Sequence, residues 1–351
     1  LVLDQQRVVW GDCAAVEFSG AAGRDPVFRA AAAQEMIEKH IQPLLVGRTL
    51  EDFRPFAEEI DEIEITVTEQ HLIPKRPPGE KMSRRELFTT AGGLLSETPT
   101  IKQQTLVRPL HTSIRYGLSQ ALLQAAAAAQ KKTIPEILCQ EWDLPLPEKT
   151  VPLHAQCGAN RFQGAEKMIV RRVDSLPHSL VDNLPEHLGE EAVHLIQYAK
   201  WLKSRIKALG GENYHPTIHL DVHGGLGILY NFNLGEILGR LYSLEQAAKP
   251  YPLRIECPVI CSTRDEQIQT LSTLREYIQF RNMKVQLVAD EWANTLEDIL
   301  AFLEGEAADM IQVKMPDLGG IHTAVDAICA CQEEGVSAFL GGSCAETDLS
   351  A

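Results

Sequence analysis

The chain has 351 residues, of which 44% are hydrophobic and 23% charged, the profile of a globular protein with room for more than one domain. Its 48 acidic side chains outnumber 33 basic ones, and a formal charge of −15 repels phosphate backbones and anionic lipid, so neither nucleic acid nor a membrane is an expected partner. No stretch approaches the roughly 20 apolar residues of a membrane span, and the opening LVLDQQRVVWG lacks a basic start followed by an apolar core, so the sequence reads as cytoplasmic.

The first residues, LVLDQQRVVWGDC, read as a strand, and the last, CAETDLSA, as a loop entering a helix, which leads us to expect a fragment of a longer polypeptide. Asp25 is the expected N-cap, and Pro26 the first-turn proline, of an Ala-rich helix running to about Val46. From about Ile60 to Arg108, Pro, Gly and clustered charges including KRPPGEKMSRRE interrupt any period, which predicts an inserted excursion. HTSIRYGLSQALLQAAAAAQKK, from His111 to Lys132, is a second helix, and TIPEILCQEW a short third. Strand followed by helices suggests an α+β capping domain over residues 1–147.

Beyond it the pattern changes to short apolar runs alternating with amphipathic stretches. Seven strands are expected: VPLHAQ, KMIVRRV, TIHLDV, LRIECPV, VQLVAD, MIQVKM and SAFLGG. Helical stretches such as DEQIQTLSTLREYIQFRN separate the later ones, so residues 148–351 read as an α/β domain, a (β/α) barrel or a doubly wound sheet, with nothing resembling a dinucleotide fingerprint after the first strand. The eight cysteines form no CxxC pair and read as reduced thiols.

Asp221 closes TIHLD, Glu256 closes LRIE and Asp290 closes VQLVAD, so three acids stand at the carboxyl ends of consecutive predicted strands, one βα unit apart. A barrel brings such positions together at its catalytic rim. A single acid there is more often the N-cap of the following helix; three in succession favour metal binding, because converging carboxylates coexist only with a cation or with raised pKa values. Hard oxygen donors suit Mg²⁺ or Mn²⁺. One unit later, Gln312 and Lys314 in MIQVKMPDLGG share a strand face, and a lysine facing inward beside a metal has the makings of a base. Proton removal next to a carboxylate, with a cation stabilising the charge that develops, is the chemistry this pairing suits.

These residues in this order resemble the enolase superfamily, whose barrels carry three metal-binding acids on the third to fifth strands. The strings GDCAAVEFSGAAGRDPVF, HTSIRYG, VADEW, QVKMPDLGG and GGSCAET are similar to the methylaspartate ammonia-lyase family in particular. The resemblance implies an enolase-like TIM-type barrel, lacking its last strand in this chain, with an N-terminal cap. It implies Mg²⁺ on Asp221, Glu256 and Asp290, and Lys314 as the base that takes the C3 proton of L-threo-3-methylaspartate before ammonia leaves to give mesaconate. By the same likeness His178 is the second acid/base on the opposite face. Gln156, Gln312, Ser343 and Cys344 match positions that hold substrate carboxylates, Ser343 replacing a Thr. Glu17 stands where the family has a Gln beside the substrate amine, and His154 where it has a Phe, which opens the alternative of another lyase, dehydratase or epimerase acting on a related carboxylic acid. A homodimer and a monovalent cation such as K⁺ are further expectations from the resemblance. An aldolase-like Schiff base at Lys314 and a decayed, non-catalytic barrel are the competing readings.

Overall fold

The computed structural model describes all residues but 4–6, 17, 74–99, 159, 182, 344 and 349–351. Glu17 and Cys344 therefore lie outside the described residues. The chain divides into two compact units, Leu1–Glu58 with His111–Ala351, and Glu59–Leu110.

In the smaller unit, β1 (Glu64–Ile73) and β2 (Thr100–Pro109) pair antiparallel in unbroken register from Glu64 opposite Pro109 to Ile73 opposite Thr100. The strand sequences EITVTEQHLI and TIKQQTLVRP contain β-branched residues that favour a pleated backbone. The charged run between them obscures that signal, so an excursion was all the sequence led us to expect.

The larger unit is built on a six-stranded parallel sheet, β3 (Ser175–Pro177), β4 (Thr217–Asp221), β5 (Leu253–Glu256), β6 (Gln286–Ala289), β7 (Met310–Lys314) and β8 (Ser337–Gly341), in sequential order. Helices Val193–Leu209, Leu234–Ala248, Arg264–Phe280, Leu296–Glu304 and Ile321–Glu333 connect successive strands, so the sheet is the arc of a (β/α) barrel. Leu176, Ile218, Leu220, Ile255, Leu287 and Val313 from its strands are fully buried, with Leu202, Leu241, Leu271, Ile299 and Ala327 of the helices in the same apolar core.

Four local expectations are corrected. KMIVRRV falls in and just after the helix Arg161–Arg171, whose N-cap Asn160 accepts a hydrogen bond from the Gln163 N–H and whose buried Ala165, Met168 and Ile169 recur at helical spacing. VPLHAQ contributes only a parallel bridge between His154 and Ser175. Among its described residues the opening segment likewise shows a bridge, Val2 to Val8, in place of a strand. The Ala-rich helix starts at Ala30, not beside Asp25; Asp25 instead accepts the Thr112 N–H at 2.8 Å, at the start of the helix Thr112–Gln130. All seven described cysteines are free. Among the described residues no helix is long and apolar enough to cross a membrane.

Candidate active site

Asp221, Glu256 and Lys314 are the last residues of β4, β5 and β7, and Asp290 follows β6 directly. Parallel strands put all four on one rim, with Asp221 directly opposite Glu256 in the ladder. Past the strand ends the chain turns through left-handed backbone at His178 (φ 45°), His223 (φ 41°), Cys257 (φ 43°) and Trp292 (φ 70°). Ordinary side chains there cost about 1–3 kcal/mol each, and such positions cluster where a site must be held in shape.

Asp221 and Glu256 converge on His178. Its Nε2 lies 3.7 Å from Asp221 Oδ2 and 3.6 Å from Glu256 Oε2, and one ligand atom from each of the three residues falls within 4.8 Å of the others. His219, two residues before Asp221, closes on Glu256 Oε2 at 2.6 Å from a fully buried position. Burial raises the Glu256 pKa, but the charge and hydrogen bonds of His178 and His219 outweigh it and hold the carboxyl well below the usual range. Asp221 is pushed up to about 6 by burial and by its neighbour Glu256. Burial would make His178 neutral, yet Glu256 and Asp221 raise it to about 10, so the ring is an imidazolium.

Asp290 is not part of that triplet. Its two oxygens receive Lys314 Nζ at 2.9 and 2.7 Å, and Arg24 Nη2 approaches Oδ1 at 3.3 Å. Arg24 comes from the N-terminal segment, where Asn294 donates to the Ala22 carbonyl and Gly23 turns with φ 84°, beside the Trp292 ring. Its guanidinium, with 1% of the side chain exposed, also reaches Asp317 at 2.7 Å and Glu291 at 4.0 Å. Burial and the charge of Glu291 raise the Asp290 carboxyl to about 7. Burial depresses the Lys314 ammonium, but Asp290 outweighs it and the pKa stands above that of an ordinary lysine.

A cavity of about 310 Å³ joins the two groups, lined by Asp221, Asp290, His178, Lys314, Gln156, Gln312, His154 and Ser343, together with Phe18, His223, Glu291, Phe339 and Glu346. A small dicarboxylate fits such a volume. Gln312 lies alongside Gly341, where any Cβ would come within 2.7 Å of its Nε2. Ser343 donates from Oγ to the Ala15 carbonyl and from its N–H to Glu346 at 2.7 Å. Thus the structure gathers every described residue proposed from sequence around one cavity, Glu256 lying fully buried beneath it. Sequence reading missed His219, Arg24, Glu291 and His223. Two of them carried a signal: His219 shares a strand face with Asp221, and Glu291 is adjacent to Asp290.

A sequential parallel sheet with acids and a lysine at its strand ends defines a (β/α)-barrel enzyme of the enolase type. The L-Ala-D/L-Glu epimerase from Bacillus subtilis shares the fold, and at 16% identity only the fold, with a TM-score of 0.63 over 99% of this chain and 73% of that one. Family models described as methylaspartate ammonia-lyase N-terminus and C-terminus match residues 1–74 with 85–143, and 145–351. Methylaspartate ammonia-lyase 2 of Carboxydothermus hydrogenoformans is 42% identical over 351 residues, 100% of this chain and 75% of that protein. The crystal structure of the Citrobacter amalonaticus methylaspartate ammonia lyase containing (2S,3S)-3-methylaspartic acid is 38% identical with a TM-score of 0.85, over 100% of this chain and 76% of that one. The Mg complex of β-methylaspartase from Clostridium tetanomorphum is 37% identical with a TM-score of 0.81, over 100% and 75%. The chain belongs to the methylaspartate ammonia-lyase family and is a carbon–nitrogen lyase.

Proposed function

We propose that the chain takes the C3 proton from L-threo-3-methylaspartate and eliminates ammonia to give mesaconate, with Mg²⁺ held by Asp221, Glu256 and Asp290 and Mn²⁺ as a substitute. The observation that carries this reading is Lys314 Nζ on Asp290, one strand from the Asp221 and Glu256 pair, at the wall of a cavity of dicarboxylate size. The residues fit a hard cation: the donors are carboxylates, and the buried Glu256 Oε1 has no hydrogen-bond partner, an oxygen that a cation would satisfy. A cation there supplies electrostatic stabilisation of the negative charge that builds up on the substrate carboxylate.

Lys314 receives the C3 proton at Nζ, which requires the neutral amine. Burial and the charge of Arg24 favour that form, and Asp290 opposes it. Gln156, Gln312, Ser343 and Cys344 hold the substrate carboxylates, and Glu17 and His154 stand near the amine. His178 serves the opposite face as second acid/base. In this reading residues 1–147 cap the barrel of residues 148–351, the protein acts as a cytoplasmic homodimer, and a monovalent cation such as K⁺ assists. The test is mesaconate formation, followed by absorbance, before and after EDTA. Stripping metal is expected to abolish it and Mg²⁺ to restore it; undiminished turnover in EDTA would sink the proposal.

His154, where the family has Phe, favours a second reading, a related lyase, dehydratase or epimerase on another carboxylic acid. A substrate screen separates the two, since efficient turnover of 3-methylaspartate alone rules out the second.

A further inference from the structure

The acids that line the cavity are not compensated alike. Asp221 has His178 Nε2 at 3.7 Å, Asp290 has Lys314 Nζ at 2.7 Å, and Glu291 has His223 Nδ1 at 3.2 Å and Arg24 Nη1 at 4.0 Å. Glu346, half-buried in the wall of the same cavity, pairs with no cation among the described residues. Its carboxylate is nevertheless fixed at both oxygens, by neutral donors. Tyr116 Oη donates to Oε1 at 2.7 Å, and the Ser343 N–H donates to Oε2 at 2.7 Å. Tyr116 is buried in the helix Thr112–Gln130, and burial, the hydrogen bond to Glu346 and the charge of Glu346 raise its hydroxyl, which therefore stays a donor. Gly342 leaves room for the carboxylate, since any Cβ there would overlap Oε2. The turn that carries Glu346 is tied to the N-terminal segment, with Ser343 Oγ on the Ala15 carbonyl and the Thr347 N–H on Asp12 at 3.0 Å.

We propose that Glu346 is a specificity-determining residue that receives the ammonium group of the substrate. This role presupposes that the chain acts on an amino dicarboxylate, as proposed above. Neutral donors hold a carboxylate in place without cancelling its charge, and in a cavity shielded from water an uncancelled charge attracts a mobile cation strongly. An ammonium suits the position because it offers three N–H donors and accepts nothing. Each Glu346 oxygen, with one lone pair taken by its anchor, keeps another for such a bond. In an α-amino acid the ammonium and one carboxylate share a carbon, so a carboxylate held at Ser343 brings its ammonium to the same part of the wall. A dicarboxylic acid without the amine gains nothing from Glu346 and is repelled by it. The residue thus selects amino acids both by attraction and by exclusion.

The test compares L-threo-3-methylaspartate with methylsuccinate, the same skeleton and carboxylates with hydrogen in place of the amine. It reads kcat/KM for the first and the competitive inhibition constant of the second, in wild-type, Glu346→Gln and Tyr116→Phe protein supplied with Mg²⁺. Glutamine keeps the shape, its oxygen facing the Ser343 N–H and its NH₂ donating to Tyr116 Oη, and removes the charge. Glu346→Gln is expected to lower kcat/KM about 10- to 100-fold, while methylsuccinate binds as well as before or better. Tyr116→Phe, which keeps the charge and removes one anchor, is expected to hold the discrimination between the two ligands within about threefold of wild type. Equal losses for both ligands in Glu346→Gln would mean a structural role and overturn the inference. So would a discrimination lost as fully in Tyr116→Phe as in Glu346→Gln. If the wild-type protein turns over 3-methylaspartate and Glu346→Gln discriminates as it does, this inference alone falls. If the wild-type protein does not turn it over, the lyase reading falls and this role with it.

Discussion

The two sides of the cavity neutralise the same surplus of acid with different cations. Around Asp221 and Glu256 the counter-charge is the imidazolium of His178, with His219, whose pKa burial lowers, hydrogen-bonded to Glu256. Around Asp290, Glu291 and Asp317 it is the guanidinium of Arg24 and the ammonium of Lys314. An imidazolium can be discharged by losing one proton, at about pH 10 for His178 beside its two carboxylates, whereas a guanidinium keeps its charge throughout. The first side can therefore give up its counter-charge without moving an atom of the fold. The second keeps Arg24 as a fixed charge, beside Lys314 on Asp290 and the His223 imidazole 3.2 Å from Glu291. A base and a permanent cation on one acid, opposite a proton-labile pair, is an arrangement suited to moving protons and not only to holding charge.

The sharpest way to break this contrast is to remove the mobile cation. Lys314→Ala is expected to lower kcat for the threo substrate by about 10²–10⁴-fold and to slow exchange of the C3 proton with solvent deuterium to the same degree. Loss of elimination with exchange intact would assign the proton transfer elsewhere. Next in size is the fixed cation. Arg24→Met leaves Asp290 and Asp317 buried without the guanidinium that both contact, and removing one partner of a buried ion pair costs about 3–5 kcal/mol. Urea unfolding of the metal-free protein reads this directly. A loss below about 1 kcal/mol would mean that the permanent charge is dispensable and the two sides are alike.

How far the site was legible follows from the same residues. Asp221, Glu256 and Lys314 stand at strand ends with apolar runs before them, so their position on one rim follows from the βα period. The pairing was not legible. Nothing in the spacing says that His178 joins Asp221 and Glu256 while Asp290 turns to Lys314, because that choice depends on where loops of different lengths deliver cations. Arg24 was hidden for a related reason: it reaches the rim from more than 260 residues away in the chain, and only the fold brings the two ends together. Within the fold, KMIVRRV misled because β-branched residues fit a strand, whereas the Asn160 cap and the buried Ala165, Met168 and Ile169 decide for a helix. β1 and β2 were lost in the charge-rich segment between them.

The contrast also has a pH signature. Asp221 and Asp290 are raised to about 6 and about 7, so in the absence of a cation each binds a proton more tightly than an exposed carboxyl does. Below those values a divalent cation must displace protons in order to bind; above them it need not. Mg²⁺ affinity is therefore expected to weaken as pH falls from about 8 to 6, by at most roughly tenfold per unit for each proton displaced. Calorimetry in two buffers of different ionisation enthalpy counts the protons released. Asp290→Asn should reduce that number, and a pH-independent affinity would contradict the raised carboxyls.

The smallest expected effect serves as the control for the others. The helix Leu296–Glu304 begins six residues beyond Asp290 with a capping box, in which Thr295 Oγ1 accepts the Asp298 N–H at 3.0 Å and the Asp298 carboxylate accepts the Thr295 N–H at 3.1 Å. Thr295→Ala removes the cap and is expected to cost about 1 kcal/mol of stability. Thr295 touches neither the acids nor their cations, so the Mg²⁺ affinity and the kcat for the threo substrate should move less than twofold. If they move in proportion to stability instead, the losses expected for Arg24→Met would reflect a loosened barrel rim and not the charge on Arg24. If they hold while Arg24→Met loses both stability and cation affinity, the effect belongs to the guanidinium, and the two sides of the cavity differ in the way their cations imply.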